Sequence, residues 1–211
     1  MHSVAFDAWT PARAYHHYHG GIRILTEAAS VKIATPIEVD PEDMREEMLR
    51  ESVRMPLPWK GGSWTLQDIV DYDYSAARAA LSNADRLREN WMRNYYQVFQ
   101  NEISREKPYA YLVPAEQKDM AAAVKMLQIL HAGDVEIHQA DAEFTAGWRD
   151  WPAGTYVVYM AQPFGGFAKT LLEPQEYPEF REYPGGPLET PYDVVGHTLP
   201  YLMGVAAFRI K

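Results

Sequence analysis

Cysteine is absent from the 211 residues of this chain. Disulfides and thiolate metal sites are therefore excluded, and the redox compartment is left open. The sequence also lacks an apolar run of the roughly 18 to 20 residues that a membrane span requires. Its first residues, MHSVAFDAW, have neither the basic region nor the apolar region of a signal peptide.

Basic residues are outnumbered, and the formal net charge is −9 at pH 7. This balance argues against nucleic acid and against anionic membranes as partners, because both select basic surfaces. A hydrophobic content of 47% and a charged content of 23% are typical of a globular protein. The length allows one sizeable core or two small ones.

The segment from His19 to Pro36 reads HGGIRILTEAASVKIATP. Two glycines precede Ile22, Ile24 and Leu25, whose spacing is typical of a buried strand, and Glu27 follows at the end of that strand. Open α/β sheets place their chemistry at this edge, so Glu27 is a candidate catalytic residue. The alternative is that Glu27 is a solvated strand end.

The stretches FDAWTPARAY and HGGIRILTEAASVKIATPIEV resemble the C-terminal end of the catalytic domain in bacterial zinc carboxypeptidases of the carboxypeptidase A type. The rest of the chain is similar to the accessory region that follows this domain in large members. The resemblance implies that residues 1–38 are an incomplete peptidase domain. It also implies that Glu27 is the general base for zinc-bound water in hydrolysis of C-terminal peptide bonds.

The zinc motif of that family, His-x-x-Glu, is missing, because none of the seven histidines has Glu three residues later. Catalytic zinc needs three protein ligands and an open position. The resemblance therefore implies that zinc is held in the full-length parent by a missing N-terminal peptidase portion, which also binds the peptide substrate. This chain alone would hold no metal and be inactive. A secreted or periplasmic parent fits the family, but the sequence leaves the location open.

Three histidines, at positions 16, 17 and 19, lie within the run AYHHYH. Metal binding is one interpretation. Packing is favoured, because no Asp or Glu lies close by and adjacent residues of a regular element point to different faces.

Residues 39–63 are expected to form a connecting helix and linker. Asp40 is a candidate N-cap with Pro41 in the first turn, and the following positions carry mixed charge. The stretches PLPW and KGG then interrupt the chain.

Residues 64–107 contain neither Gly nor Pro and predict a long helix that begins after Thr65, with Asp68 completing a capping box and a break near Ser82–Asn83. One face carries an apolar stripe, which indicates core or interface packing, with a ligand cleft as the alternative. The members of this stripe are Val70, Tyr74, Ala77, Leu81, Ala84, Leu87, Trp91, Tyr95 and Val98.

The remaining residues alternate between strand and helix patterns. Strands are expected at 109–113, 135–138 and 156–160, with a helix over 115–131 that ends at Gly133. This order predicts a small, mostly parallel module that resembles flavodoxin-like or amidotransferase-like α/β folds. Together with the long helix it forms an accessory domain over residues 64–211. The predicted class is thus α/β, with a remnant of a peptidase sheet, a long helix and this module.

No complete active centre is recognisable within the module. A cysteine nucleophile and a G-x-S-x-G elbow are both absent. The QPFGGF segment at 162–167 is interpreted as a tight turn, with a phosphate or other ligand site as the alternative. His197 is interpreted as a packed or capping histidine.

Two classes of function therefore remain. The chain is the C-terminal part of a zinc carboxypeptidase-like hydrolase, or it is a non-catalytic binding or assembly module. Because a strand separated from its sheet has unpaired edges, self-association or local disorder of residues 20–36 is also expected, with Ile22, Ile24 and Ile33 exposed.

Overall fold

A computed structural model describes residues 11–24, 26, 28, 35–53, 55–174, 176, 179, 181–188 and 196–211. The chain divides into two compact units. Unit 1 comprises the described residues of Ile24–Met92, and unit 2 comprises those of 11–23 and Arg93–Lys211. The predicted domain boundaries at residues 38 and 63 rest on the resemblance and stay predictions.

The described elements are mixed α/β. The helices are α1 (Pro11–Tyr18), α2 (Glu46–Leu49), α3 (Leu66–Arg86), α4 (Arg88–Ile103), α5 (Met120–Ala132), α6 (Gly165–Leu172) and α7 (Leu199–Met203). The strands are β1 (Ile37–Val39), β2 (Gly62–Trp64), β3 (Ala110–Val113), β4 (His138–Gln139), β5 (Phe144–Ala146), β6 (Arg149–Trp151), β7 (Tyr156–Tyr159) and β8 (Phe208–Ile210). None of the helices described has the length and apolar character of a membrane span.

Unit 1 is built on one short antiparallel pair, in which Ile37 of β1 lies opposite Trp64 of β2. The predicted cap at Asp40 is confirmed, since its Oδ1 accepts a hydrogen bond of 2.9 Å from the backbone N–H of Glu42. The element that follows is only a 3₁₀ turn, Pro41–Asp43, and α2 spans four residues. The expected connecting helix is therefore two short pieces.

The long helical stretch begins as predicted. Thr65 accepts from the backbone N–H of Asp68, and the Asp68 carboxylate accepts from the backbone N–H of Thr65, which completes a capping box. The break falls at Leu87, later than expected, because Leu87 leaves helical backbone geometry with φ −110° and ψ 19°. Hydrogen bonds still cross this point, from Leu87 N–H to Asn83 O at 2.9 Å and from Trp91 N–H to Leu87 O at 3.0 Å.

Unit 2 contains a four-stranded sheet in the order β4-β7-β3-β8. Every neighbouring pair is antiparallel, so the prediction of a mostly parallel, flavodoxin-like module is wrong. The expected strand–helix–strand crossover does exist, since β3 and β4 both run opposite to β7 and therefore point the same way. The error arises because β7 inserts between them. Strand–helix alternation along the chain does not reveal such an insertion.

A second crossover has the same form. From β7 the chain passes through α6 and α7 to β8, and β3 lies between these two strands. Two interleaved crossovers with this strand order have the connectivity of the ferredoxin-like, split β-α-β arrangement. The hairpin β5–β6 is inserted between the second and third strands of that arrangement. Such a connectivity by itself assigns no function.

Helices cover one face of the sheet. Tyr111 and Val113 of β3 and Val158 of β7 point into a core formed with α5 and α6. Helix α5 begins at Met120, later than expected, because the Asp119 carboxylate caps it by accepting from the N–H of Ala122 at 3.0 Å. Its predicted end at Gly133 is confirmed.

The inserted hairpin covers the opposite face. Trp151 of β6 is almost fully buried against Ala110, Leu112 and Val157, which alternate with the helix-facing residues of β3 and β7. Both faces of the central strands are therefore protected from water. This explains why all four residues of β3 are buried.

The predicted strand over 135–138 is mostly replaced by a side-chain clamp. The buried Gln162 accepts from the backbone N–H of Glu136 at 2.7 Å and donates to its carbonyl at 3.1 Å. Those two backbone groups are thus satisfied without a strand partner. Regular pairing begins only at His138, opposite Val157.

A buried tyrosine joins the sheet to the end of α6. The hydroxyl of Tyr111 donates to Glu173 Oε2 at 3.3 Å, and Glu173 also pairs with Lys169. Burial of the phenol, reinforced by the negative charge of Glu173, raises the pKa of Tyr111 above its ordinary value. The neutral phenol is therefore the form that folding favours.

We predict that Tyr111→Phe lowers the free energy of unfolding by about 1 kcal/mol at neutral pH, through loss of the hydrogen bond. Because folding raises the pKa of Tyr111, its contribution is complete below its ordinary pKa of about 10 and declines above it. The difference between wild type and variant should therefore shrink when urea unfolding is repeated above pH 10. Tyr159→Phe, in β7, is the control with little change at either pH. A difference that stays constant with pH would contradict the assignment.

Candidate functional site

Glu27, the catalytic residue inferred from sequence, lies outside the described residues. Its assignment as general base therefore stays a prediction. Among its described neighbours, Ile22 and Ile24 are exposed and belong to no strand. The expected strand is thus not seen at these two positions.

The histidine-rich segment forms α1 and the turn after it. His19 packs in unit 2, with its ring stacked on Tyr15 at 4.3 Å and on Phe164 at 4.6 Å between centroids. Its Nδ1 lies 3.0 Å from the Tyr15 carbonyl oxygen, and its Nε2 lies 3.0 Å from that of Gly133. The packing interpretation is confirmed for His19, because both ring nitrogens already face protein oxygens.

The other two histidines contact each other. The rings of His16 and His17 are 4.3 Å apart, so they lean together instead of pointing to different faces. Within the described ranges, no three His, Asp or Glu side chains converge as metal ligands would. The metal-binding alternative for the AYHHYH run therefore has no support among the described residues, and the zinc site of the full-length parent, whose ligands the resemblance places in the missing portion, stays a prediction.

The QPFGGF segment contains the predicted tight turn, closed by a hydrogen bond of 3.0 Å from Gly165 N–H to the Gln162 carbonyl, and the turn leads directly into α6. Helix α6 begins at Gly165, where an added Cβ would lie 2.2 Å from the Met160 carbonyl oxygen. A Cβ on Gly166 would lie 3.2 Å from Glu102 Oε2, so a carboxylate of the chain itself approaches the first turn of this helix. Glu102 is also bound to Arg105 at 2.5 Å. A negative group already complements the helix dipole here, which disfavours the ligand-site alternative.

Two further predictions concern His197 and the apolar stripe. His197 is buried just before α7, in agreement with its interpretation as a packed residue. The stripe on α3 is not a core face, since α3 has no buried residue and Val70, Tyr74 and Leu81 are exposed.

An open depression of about 520 Å³ lies in unit 1 near β1 and the 3₁₀ turn. It is lined by Glu38, Val39, Asp40, Pro41, Asp43, Lys60, Gly61 and Gly62. The Asp40 carboxylate faces the backbone as a cap, and Lys60 Nζ donates to the Leu49 carbonyl at 2.6 Å. The Asp40 carboxylate and the Lys60 ammonium are therefore already engaged in hydrogen bonds that stabilise local turns beside the depression.

The feature of unit 2 best suited to binding is the tip of the β5–β6 hairpin, Gly147–Trp148–Arg149. Gly147 and Trp148 have φ values of 60° and 66°, the left-handed pair of a type I′ turn. Glycine adopts this backbone readily, whereas a bulky residue is strained there. The Trp148 side chain is nevertheless fully exposed, so no packing against the described residues compensates the strain. Strain of this kind concentrates at functional sites.

The base of the tip is held by several side-chain contacts. The Arg149 guanidinium lies 4.5 Å from the ring centroid of Trp151 and 5.1 Å from that of Phe208, in cation–π geometry. Trp151 Nε1 donates to the Ala146 carbonyl at 2.9 Å, and Thr145 Oγ1 donates to Asp150 Oδ1 at 2.6 Å. The hairpin therefore presents an exposed indole beside a held cation.

The sequence-based predictions do not include this hairpin. A local signal exists, since Phe144, Ala146, Arg149 and Trp151 form two short alternating runs separated by two residues that begin with Gly147. The runs are only three residues each, and the exposure of Trp148 follows from the burial of Trp151 on the sheet.

Comparisons of the chain with protein-family models, with curated proteins and with solved structures found no match.

We predict that Trp148→Asn raises the free energy of unfolding by about 0.5–1 kcal/mol, because Asn tolerates left-handed backbone and no packing is lost. Urea unfolding of the whole chain measures this change. Trp148→Ala keeps a strained Cβ and should change stability less. Equal effects of the two substitutions would argue against backbone strain at this position.

Proposed function

We propose that unit 2 is a non-catalytic binding module that holds a protein partner at the Gly147–Trp148–Arg149 tip. The observation that carries this proposal is the fully exposed Trp148 side chain on a strained, left-handed backbone. Natural sequences rarely keep such a residue without a use, since Asn or Gly would form the same turn at lower cost.

The chemistry of the tip indicates the kind of partner surface. Trp and Arg are the residues most enriched among those that dominate binding energy at protein interfaces. Trp148 would enter an apolar pocket, and Arg149, whose guanidinium is held over Trp151 and Phe208, would meet a carboxylate at the rim of that pocket. Because the base is already ordered, little conformational entropy would be lost on binding.

Selection of a displayed library of random peptides on the whole chain tests this function. We expect the enriched peptides to combine apolar and acidic residues, and Trp148→Ala to weaken their binding at least about tenfold, a loss of 1.4 kcal/mol or more. Isothermal titration calorimetry with the selected peptides gives the affinities.

Tyr201→Ala is the matched control, because Tyr201 is an exposed aromatic residue of α7 in the same unit. It should leave the affinity unchanged. Peptides that bind wild type and Trp148→Ala equally well would reject the tip as the binding surface.

We also propose, on the resemblance alone, that residues 1–38 are the end of a zinc carboxypeptidase-like catalytic domain completed by an upstream portion. In such a protein Glu27 would take a proton from the attacking water during hydrolysis of a C-terminal peptide bond. An in-frame His-x-x-Glu encoded upstream of Met1 would support this second function.

If that upstream portion exists, Glu27→Gln in the extended protein should abolish peptidase turnover without changing the zinc content, because the amide cannot accept the proton. Glu38→Gln is the control, since Glu38 is an exposed carboxylate of β1. Turnover retained in the Glu27 variant, measured on a peptide with a free C-terminus, would reject the role of general base.

A further inference from the structure

Helix α3 is unusual because it is long and apolar on one side, yet buries none of its 21 residues. Among its exposed side chains are Leu66, Val70, Tyr74 and Leu81, and exposed Met92 follows in the first turns of α4. Helices in proteins are stabilised mainly by packing of such a face. All of these residues lie in unit 1, so the uncovered surface belongs to a single unit.

The exposed side chains follow a regular path, here named the α3 stripe. It consists of Leu66, Val70, Tyr74, Ala77, Leu81, Ala84, Arg88 and Met92. Successive members are separated by 4, 4, 3, 4, 3, 4 and 4 residues. This spacing keeps the six members in α3 on one face of that helix, and Arg88 and Met92 continue the series in α4, where hydrogen bonds span the break at Leu87. Alternating steps of three and four at its centre are typical of helices that pack against another helix.

This series of steps is the same in both directions. Its centre falls at Ala79, so a two-fold axis at that level would place each member opposite another member of the stripe in an antiparallel second copy. Tyr74 would lie opposite Ala84, and Leu81 opposite Ala77. At the centre of the stripe, Tyr74 and Leu81 each therefore meet a small side chain, which allows close packing there, whereas Leu66 would meet Met92 at the ends.

The ends of the stripe decide between antiparallel and parallel packing. Arg88 is the only charged member, and the antiparallel arrangement places it opposite Val70, whose sequence neighbour Asp71 can pair with it. In a parallel, in-register pair, Arg88 would face Arg88. The acidic segment Leu66–Asp73, with three Asp and no basic residue, would also face itself. Arg88 has an exposed ion-pair contact of 3.8 Å with Asp85 and donates to the Asp85 carbonyl oxygen at 3.1 Å. An exposed pair of this kind is weak, so Asp71 of a second copy can compete for the guanidinium.

We propose that a second copy of this chain covers the α3 stripe, forming a two-fold symmetric dimer with α3 and the start of α4 packed antiparallel about Ala79. A partner of another kind would not require a stripe that is complementary to its own reversed copy. This surface lies in unit 1 and is separate from the Trp148 tip, so the dimer and the binding function can be tested independently.

Sedimentation velocity of the whole chain over a range of concentrations tests the dimer. We expect a reversible monomer–dimer equilibrium, and Leu81→Glu should weaken it at least tenfold by placing a carboxylate opposite Ala77. Because Leu81 is exposed, the variant should keep its circular dichroism spectrum. Tyr74→Glu should act in the same way.

Ala79→Glu is the matched control, because it adds the same charge to an exposed position on the far side of α3. It should dimerise as the wild type does, and so should Trp148→Ala. A wild-type chain that stays monomeric would overturn the proposal. So would a dimer that Leu81→Glu leaves intact.

Orientation is measured separately, with spin labels on Gln67→Cys or Ser82→Cys, since the chain has no other cysteine. At a rise of about 1.5 Å per residue, antiparallel copies separate the two labels along the axis by about 36 Å at position 67 and about 9 Å at position 82. Equal distances at the two positions would indicate parallel packing and overturn the antiparallel arrangement.

Discussion

The antiparallel pairing of β3 with β7 is the interaction on which unit 2 depends. It aligns Tyr111 with Val158 and Leu112 with Val157, so that successive residues serve opposite faces of the sheet. One set of side chains joins the helical core, and the other set receives Trp151. Without this pairing neither the helices nor the hairpin would have a surface to cover.

Coverage of the second face determines which side chains of the hairpin are buried and which are exposed. In a split β-α-β arrangement the face opposite the helices is open unless another element closes it. Here Trp151 closes it from β6, and the two-residue turn then directs Trp148 away from the sheet. The same hairpin thus buries one tryptophan and exposes the other. Burial of Trp151 orders the base of the hairpin, and the exposed Trp148 lies at its tip.

Unit 1 differs from unit 2 because its longest helix, α3, is capped by local hydrogen bonds but buries no side chain. Helix α3 has a complete capping box and no buried residue, so its N-terminal end is defined locally while its apolar side is left uncovered. Apolar surface of this extent on a helix has a free-energy cost in water. In the proposed dimer, a second copy packed on the α3 stripe would remove this apolar surface from water.

Local features were predictable from residues close in sequence. Asp40 caps its 3₁₀ turn, Thr65 and Asp68 cap α3, and Gly133 ends α5, because each of these hydrogen bonds joins groups within five residues of one another. Strand order was not predictable in this way. The insertion of β7 between β3 and β4 joins Ala110 to Tyr159, and nothing near either residue specifies that partner.

The candidate sites follow the same division. The interpretation of His19 as a packed residue could be made from the absence of nearby carboxylates. Its ring contacts the neighbouring Tyr15, but it also contacts Phe164 and the carbonyl of Gly133, which are far from His19 in sequence. The sequence by itself determined several helix caps, at Asp40, Thr65 and Gly133, and which faces are apolar, since cap hydrogen bonds and side-chain periodicity are local. Only the tertiary structure decided which apolar faces are covered and that Trp148 is exposed. Burial depends on strand pairings between residues that are far apart in sequence, and these pairings together form one core.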